Sequence, residues 1–191
     1  MIINDLQTGY FAIFMAMYSA VRAGCGASPE SSENNGRKPG KERTMSTRAA
    51  IAMRLPDNTI HAIYCHNDGY PGWTWTGAVL GGFYKTEEQV KALFALGALS
   101  QLWPKLEPDP GVPHTFHEPQ KGVTIAYHRD RGEPLRTGET YATLEEFVKD
   151  APESFWADYL YLFENGTWSF FAVYGEREWT VLDVKVGEEQ N

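Results

Sequence analysis

TRAAIAMRLPDNTIHAIYCHNDGYP, residues 47–71, carries two strand-forming runs on either side of a turn. Residues 47–55 and 59–66 are apolar and β-branched runs, and Pro56, Asp57 and Asn58 lie between them. Proline fixes φ and the Asx side chains bond to nearby backbone, so this trio makes a turn and the whole reads as a β-hairpin. Because side chains alternate along a strand, Ile60, Ala62, Tyr64 and His66 share one face of the second strand, and His61, Ile63 and Cys65 share the other. Asn67, Asp68, Gly69, Tyr70, Pro71 and Gly72 then break the strand, and Trp73 and Trp75 follow in a loop rich in Gly and Thr.

Downstream, residues 159–163 and 167–174 are two β-prone runs around Glu164-Asn165-Gly166, and Asn-Gly is the strongest short-range hairpin signal. Residues 123–128 (VTIAYH) read as a strand, and residues 179–186 as a last one. Residues 76–84 form a short helix weakened by Gly81-Gly82. Thr86 with Gln89, and Thr143 with Glu146, have the spacing of capping boxes that open two further helices, the second running to about Lys149. Strands joined by hairpins, with helices between them, give an α+β fold: a single domain with a mostly antiparallel sheet of about five to six strands and two or three short helices.

The chain has 191 residues, 42% of them apolar, which is ample for one core without a metal or disulfide staple. Its formal charge of −8 argues against general affinity for nucleic-acid phosphates or anionic lipid. Cys25 and Cys65 match neither a disulfide framework nor a CxxC pair, so a reducing cytoplasm is the expected compartment. Residues 10–21 are too short to span a bilayer, and no basic residue precedes them. Residues 26–44 have the polar composition of a segment that fails to offset its ordering entropy. In a bacterial or phage gene, Lys41-Glu42 can be encoded AAG GAG, a ribosome-binding sequence placed ahead of the Met45 codon. The expectation is a disordered, non-native leader over residues 1–44 and the α+β domain over residues 45–191.

Ionisable and aromatic side chains crowd into Tyr64, His66, Asp68, Tyr70 and Pro71, at a strand end where sites are usually built. The structural alternative is that Asp68 and Gly69 simply make the turn and Pro71 stiffens it. With Ser46-Thr47-Arg48 also in view, the chain resembles a family of small proteins of phages, prophages and mobile elements. Its members open on an STR-led strand and carry a Y-x-H-x-D-G-Y-P-like turn after the second strand. The likeness covers residues 45–84, with a looser echo over residues 123–131. Asn67 departs from it, standing where the pattern has Trp. The resemblance implies a mobile-element setting and brings no activity with it.

His114 and His117 form an HxxH pair, but it lies in a proline-rich loop and lacks the HExxH helix of a zinc protease, so neither metal nor cofactor is expected. His128-Arg129-Asp130 matches the start of a kinase catalytic loop whose remaining parts are absent. What is left is one candidate ligand-binding cluster: His66, Asp68, Tyr70, Trp73 and Trp75 from the first turn, with His128, Arg129, Asp130 and Arg131 from the second. The alternative there is a solvated charge run. No catalytic residue is assigned. The leading reading is a phage or prophage accessory protein of the host cytoplasm, not an enzyme, that binds a host protein or a small, nucleotide-like ligand, without membrane or general nucleic-acid binding. One competitor is an acidic DNA-mimic of the antirestriction type; another is a small hydrolase using His66 and His128.

Overall fold

The first hairpin folds as β1 (Ala49–Arg54) and β2 (Ile60–Cys65), with Ala49 opposite Cys65 and Arg54 opposite Ile60. Its turn works as the residue types require. Asn58 takes φ +68, and the Asp57 carboxylate accepts from the Thr59 amide (3.0 Å) and hydroxyl (2.7 Å). This computed structural model describes residues 46–72 and 75–183, all within the unit Ser46–Asn191. The expectations for residues 1–44, for Trp73 and for the strand beyond residue 183 lie outside the described residues.

The second hairpin is β6 (Tyr159–Glu164) and β7 (Thr167–Ala172), with Asn165 at φ +51 and Gly166 at φ +76, the two left-handed positions of a type I′ turn. β8 (Trp179–Val181) continues from β7, while β6 lies parallel to β1 and joins the two hairpins. Beyond β2 come β3 (Leu99–Gln101), parallel to it, and β4 (Ile125–Ala126). β5 (Glu139–Tyr141) pairs with the first half of β2. The result is an α+β domain on one mixed eight-stranded sheet, ordered β4-β3-β2-β1-β6-β7-β8 with β5 also beside β2. The two strands that were not expected, β3 and β5, are three residues long each, too short for any period to mark them in sequence.

Among the described residues four short helices accompany the sheet: α1 (Thr76–Phe83), α2 (Glu87–Ala95), α3 (Tyr127–Arg131) and α4 (Leu144–Ser154). Both bonds of the Thr86–Gln89 capping box form at α2. At α4, Thr143 accepts from the Glu146 amide, while the Glu146 carboxylate reaches back to the Ala142 amide instead of that of Thr143. α4 also outruns its expected end at Lys149, with Pro152 in its last turn. The strand expected over residues 123–128 shortens to β4, and its end winds into α3.

On one face Phe147, Ala151 and Phe155 pack on Ala50, Ala52, Ile60, Ala62, Leu160 and Leu162. The alternate residues Ile51, Ile63, Tyr161 and Phe163 are buried on the other face. There the Trp168 indole N–H donates to the carbonyl of Tyr84 at the end of α1. No helix among the described residues is long and apolar enough to cross a membrane.

Candidate functional site

Continuing the β1–β2 register one step beyond Ala49 and Cys65 puts Arg48 opposite His66, on the face that also carries Tyr64. The following turn fixes that end of the sheet. Asp68 adopts φ +59, and the Gly69 amide donates to the Thr47 carbonyl at 2.9 Å. A Cβ on Gly69 would stand 2.8 Å from the Arg48 carbonyl carbon, so only glycine permits the approach. The Arg48 amide donates to Asp158 at 2.9 Å, and its carbonyl accepts from the Asp158 amide. The two halves of the sequence motif therefore meet: Ser46 bonds His66 Nε2 (3.2 Å), Thr47 holds Gly69, and Tyr64 bonds His66 Nδ1 (2.7 Å).

Above this corner opens a cleft of about 640 Å3. The hairpin contributes Arg48, Tyr64 and His66; α3 and its exit contribute Tyr127, Arg131 and Glu133. Residues 135–139 and the end of α4, Ser154, Phe155 and Trp156, close the ring. Arg48, Arg131 and Arg136 line it, whereas the other described arginines, Arg54, Arg129 and Arg177, do not. Two carboxylates are present. Glu133 pairs with Arg131 (3.3 Å) and Arg136 (3.6 Å), and Glu139 accepts from the Tyr141 hydroxyl (2.8 Å).

The environment sets the protonation of the polar groups. Burial pushes the Tyr64 phenol up, against the opposing pull of Arg48, and pushes the Tyr127 phenol up against Arg131. Burial first and Arg48 second hold His66 below the ordinary imidazole value. At neutral pH the cleft thus combines guanidinium cations with two neutral phenols and a neutral imidazole. Arg131 lies over two aromatic rings, its Cζ 4.8 Å from the Phe116 centroid and 5.7 Å from that of Tyr127. Arg48 Nε is buried and has no acceptor. Such a lining suits reception of an oxyanion.

Of the residues singled out in the sequence, His66 and Arg131 come together here. Asp68 instead accepts from the Gln101 side chain, and Tyr70 leans on Trp75 and Tyr159, at 5.7 Å between ring centroids for the latter. His128 is exposed and donates to the Glu133 carbonyl (2.8 Å), so it does not share the cleft with His66. Arg129 and Asp130 turn away into a network with His114, whose side chain and that of Asp130 are both 2% exposed. His117 packs edge-on against Phe116, and no cluster of three metal-ligating side chains exists among the described residues. Cys65 is buried, its thiol pushed up to about 12.

Sequence reasoning did not assign Ser46, Arg48, Tyr127, Arg136 or Trp156 to a site, and it noticed Tyr64 in the crowded strand end without including it in the candidate cluster. The signal for Arg48 was there: a hairpin turning symmetrically about Asp57 sets it against His66. No protein-family model matches the chain, and no curated protein or solved structure matches it.

Proposed function

We propose that the chain is a non-catalytic accessory protein of a phage or prophage, and that its cleft takes up a small anionic ligand from the host cytoplasm. The observation that carries this reading is the convergence of Arg48, Arg131 and Arg136 on one concavity of a chain whose formal charge is −8. An acidic protein repels anions at long range, so three guanidinium groups in one cleft supply a local attraction that the rest of the surface opposes. Their geometry also favours carboxylate or phosphate, which guanidinium grips through paired N–H donors. A concave site of about 640 Å3 fits a small molecule better than a protein surface, which needs a broad, flat contact.

The mobile-element setting rests on the motif resemblance, and the contacts among Ser46, Thr47, His66 and Gly69 support it by giving both halves of that motif one location. Binding accounts for the lining without a chemical step, since the two His66 nitrogens are engaged by Tyr64 and Ser46. Calorimetric titration of the full chain with inorganic pyrophosphate tests the proposal. Saturable binding that weakens at least tenfold in Arg48→Ala and in Arg131→Ala is the expected result. Absence of saturable heat, or equal affinity in both variants, would overturn it.

A further inference from the structure

We infer that the ligand of this cleft carries a planar ring beside its anionic group, as a nucleoside phosphate does, and that Trp156 is the platform on which the ring stacks. The inference rests on the anion-binding reading above and adds the second half of the ligand.

The end of α4 fixes the backbone of Trp156. The Ala157 amide donates to the Pro152 carbonyl (3.1 Å) and the Trp156 amide to the Glu153 carbonyl (3.3 Å). With Phe155 as the C-cap, these are the two bonds of a Schellman motif, and Trp156 occupies its left-handed position at φ +48. Glycine is the usual residue there because any Cβ crowds the backbone in that conformation, and a bulky aromatic is an outlier. Packing does not compensate, because Trp156 is 71% exposed. By contrast, Trp103 and Trp168 are buried. Both the backbone and the solvent thus disfavour tryptophan at position 156, and strain of this kind concentrates where function requires a side chain.

What the position supplies is a location. Trp156 lines the cleft, and the Arg48 guanidinium carbon lies 6.0 Å from its ring centroid. One indole face is therefore set toward a cation that also faces the cleft, and the exposed ring leaves its other face to a partner. Trp156 borders the same cleft as Arg131 and Arg136, so a ring held on the indole keeps a phosphate attached to it near these arginines. Stacking on an indole tolerates any planar ring, so it predicts a nucleoside phosphate as a class and leaves the base open.

The test compares inorganic pyrophosphate with adenosine 5′-diphosphate on the full chain and on Trp156→Gly and Trp156→Phe, with melting temperatures measured alongside. The nucleotide should bind the native chain about tenfold more tightly than pyrophosphate. That advantage should vanish in Trp156→Gly, which should lower nucleotide affinity far more than pyrophosphate affinity, and largely return in Trp156→Phe. Trp156→Gly should melt no lower than the native chain, because glycine suits the left-handed position. Equal affinity for both probes, or a nucleotide advantage that survives Trp156→Gly, overturns the inference while the anion site stands. A sharp fall in melting temperature in Trp156→Gly overturns it too, by showing the tryptophan to be structural. Failure of pyrophosphate itself to bind would remove the underlying reading.

Discussion

Arg129 and Arg131 stand two positions apart on α3 and serve opposite ends. Every part of the Arg129 guanidinium is engaged by the protein: Nε with Asp130 (2.7 Å), Nη1 with the Leu106 carbonyl (2.6 Å), and Nη2 with the Thr124 carbonyl and Asp130. Asp130 in turn accepts from the Ala126 amide at 2.7 Å and contacts His114, and together these groups tie the proline-rich loop to α3. Arg131 is half exposed, lies on the Phe116 and Tyr127 rings and holds a single carboxylate, that of Glu133. An arginine saturated by its own protein is part of the fold, whereas one presented on aromatic surface with donors to offer belongs to a site.

The two arginines should differ most in what they contribute to stability. Arg129→Ala leaves the buried Asp130 carboxylate short of its cation, so it should cost about 3 kcal/mol or more, the range for removing one partner of a buried pair. Arg131→Ala should stay within about 1 kcal/mol, as exposed pairs do, while losing anion binding. Urea denaturation of both variants checks the contrast. Equal costs would mean that the two arginines do not differ in role.

A second test separates the turn from the cleft. Gly69→Ala pushes a methyl group into the Arg48 backbone and should cost about 1–3 kcal/mol, as overpacking does, while weakening pyrophosphate binding by displacing Arg48. Tyr70→Ala removes a side chain 46% exposed and outside the cleft, so stability should change by less than about 1 kcal/mol and binding should persist. If Tyr70→Ala abolished binding, the functional surface would lie on the turn instead.

These contrasts also explain what could be read in advance. Pro56-Asp57-Asn58 and Asn165-Gly166 announce their hairpins because turn chemistry is local, and each residue takes the conformation its type favours. β3 and β5 left no pattern, since three residues pair only because tertiary folding brings them to the edges of β2. His66 was legible from strand alternation. Arg129 and Arg131 were indistinguishable in sequence, because the carbonyls of Leu106 and Thr124 and the ring of His114 reach Arg129 from outside its own segment. Trp156 gave no local hint of its place, because its residue type is disfavoured at the left-handed end of a helix.

The cleft should also respond to acid. Burial and Arg48 hold the His66 pKa below its value in the unfolded chain, about 6.5, so below that pH the unfolded state binds the proton more readily. The stability supported by neutral His66 is complete above pH of about 6.5 and is lost as pH falls from there toward the lowered folded value. His66→Gln, which bears no titrating proton, should flatten that part of the stability profile measured by thermal melts across mildly acidic pH. A slope unchanged by the substitution would assign the acid sensitivity to another group.

The smallest expected effect lies in the bond between Tyr64 and His66. The Arg48 guanidinium beside Tyr64 favours the arrangement in which the phenol proton points at His66 Nδ1 and the Nε2 proton points at the Ser46 hydroxyl. This chain of donors links the guanidinium to the imidazole without touching the packed core, whereas the Arg129 network is tied into the backbone at both ends. Tyr64→Phe keeps the ring that stacks on Phe155, with centroids 6.4 Å apart, and deletes only the hydroxyl. Loss of one hydrogen bond of this kind should cost about 0.5–1.5 kcal/mol, below the cost of Arg129→Ala. The bond favours the neutral imidazole, so its removal should raise the His66 pKa toward the ordinary value and shrink the acid-sensitive window. Proton titration of the His66 ring by NMR in the native chain and in Tyr64→Phe measures the shift directly. A His66 pKa that falls further in Tyr64→Phe would reverse the assigned direction of the hydrogen bond, with Nδ1 as the donor.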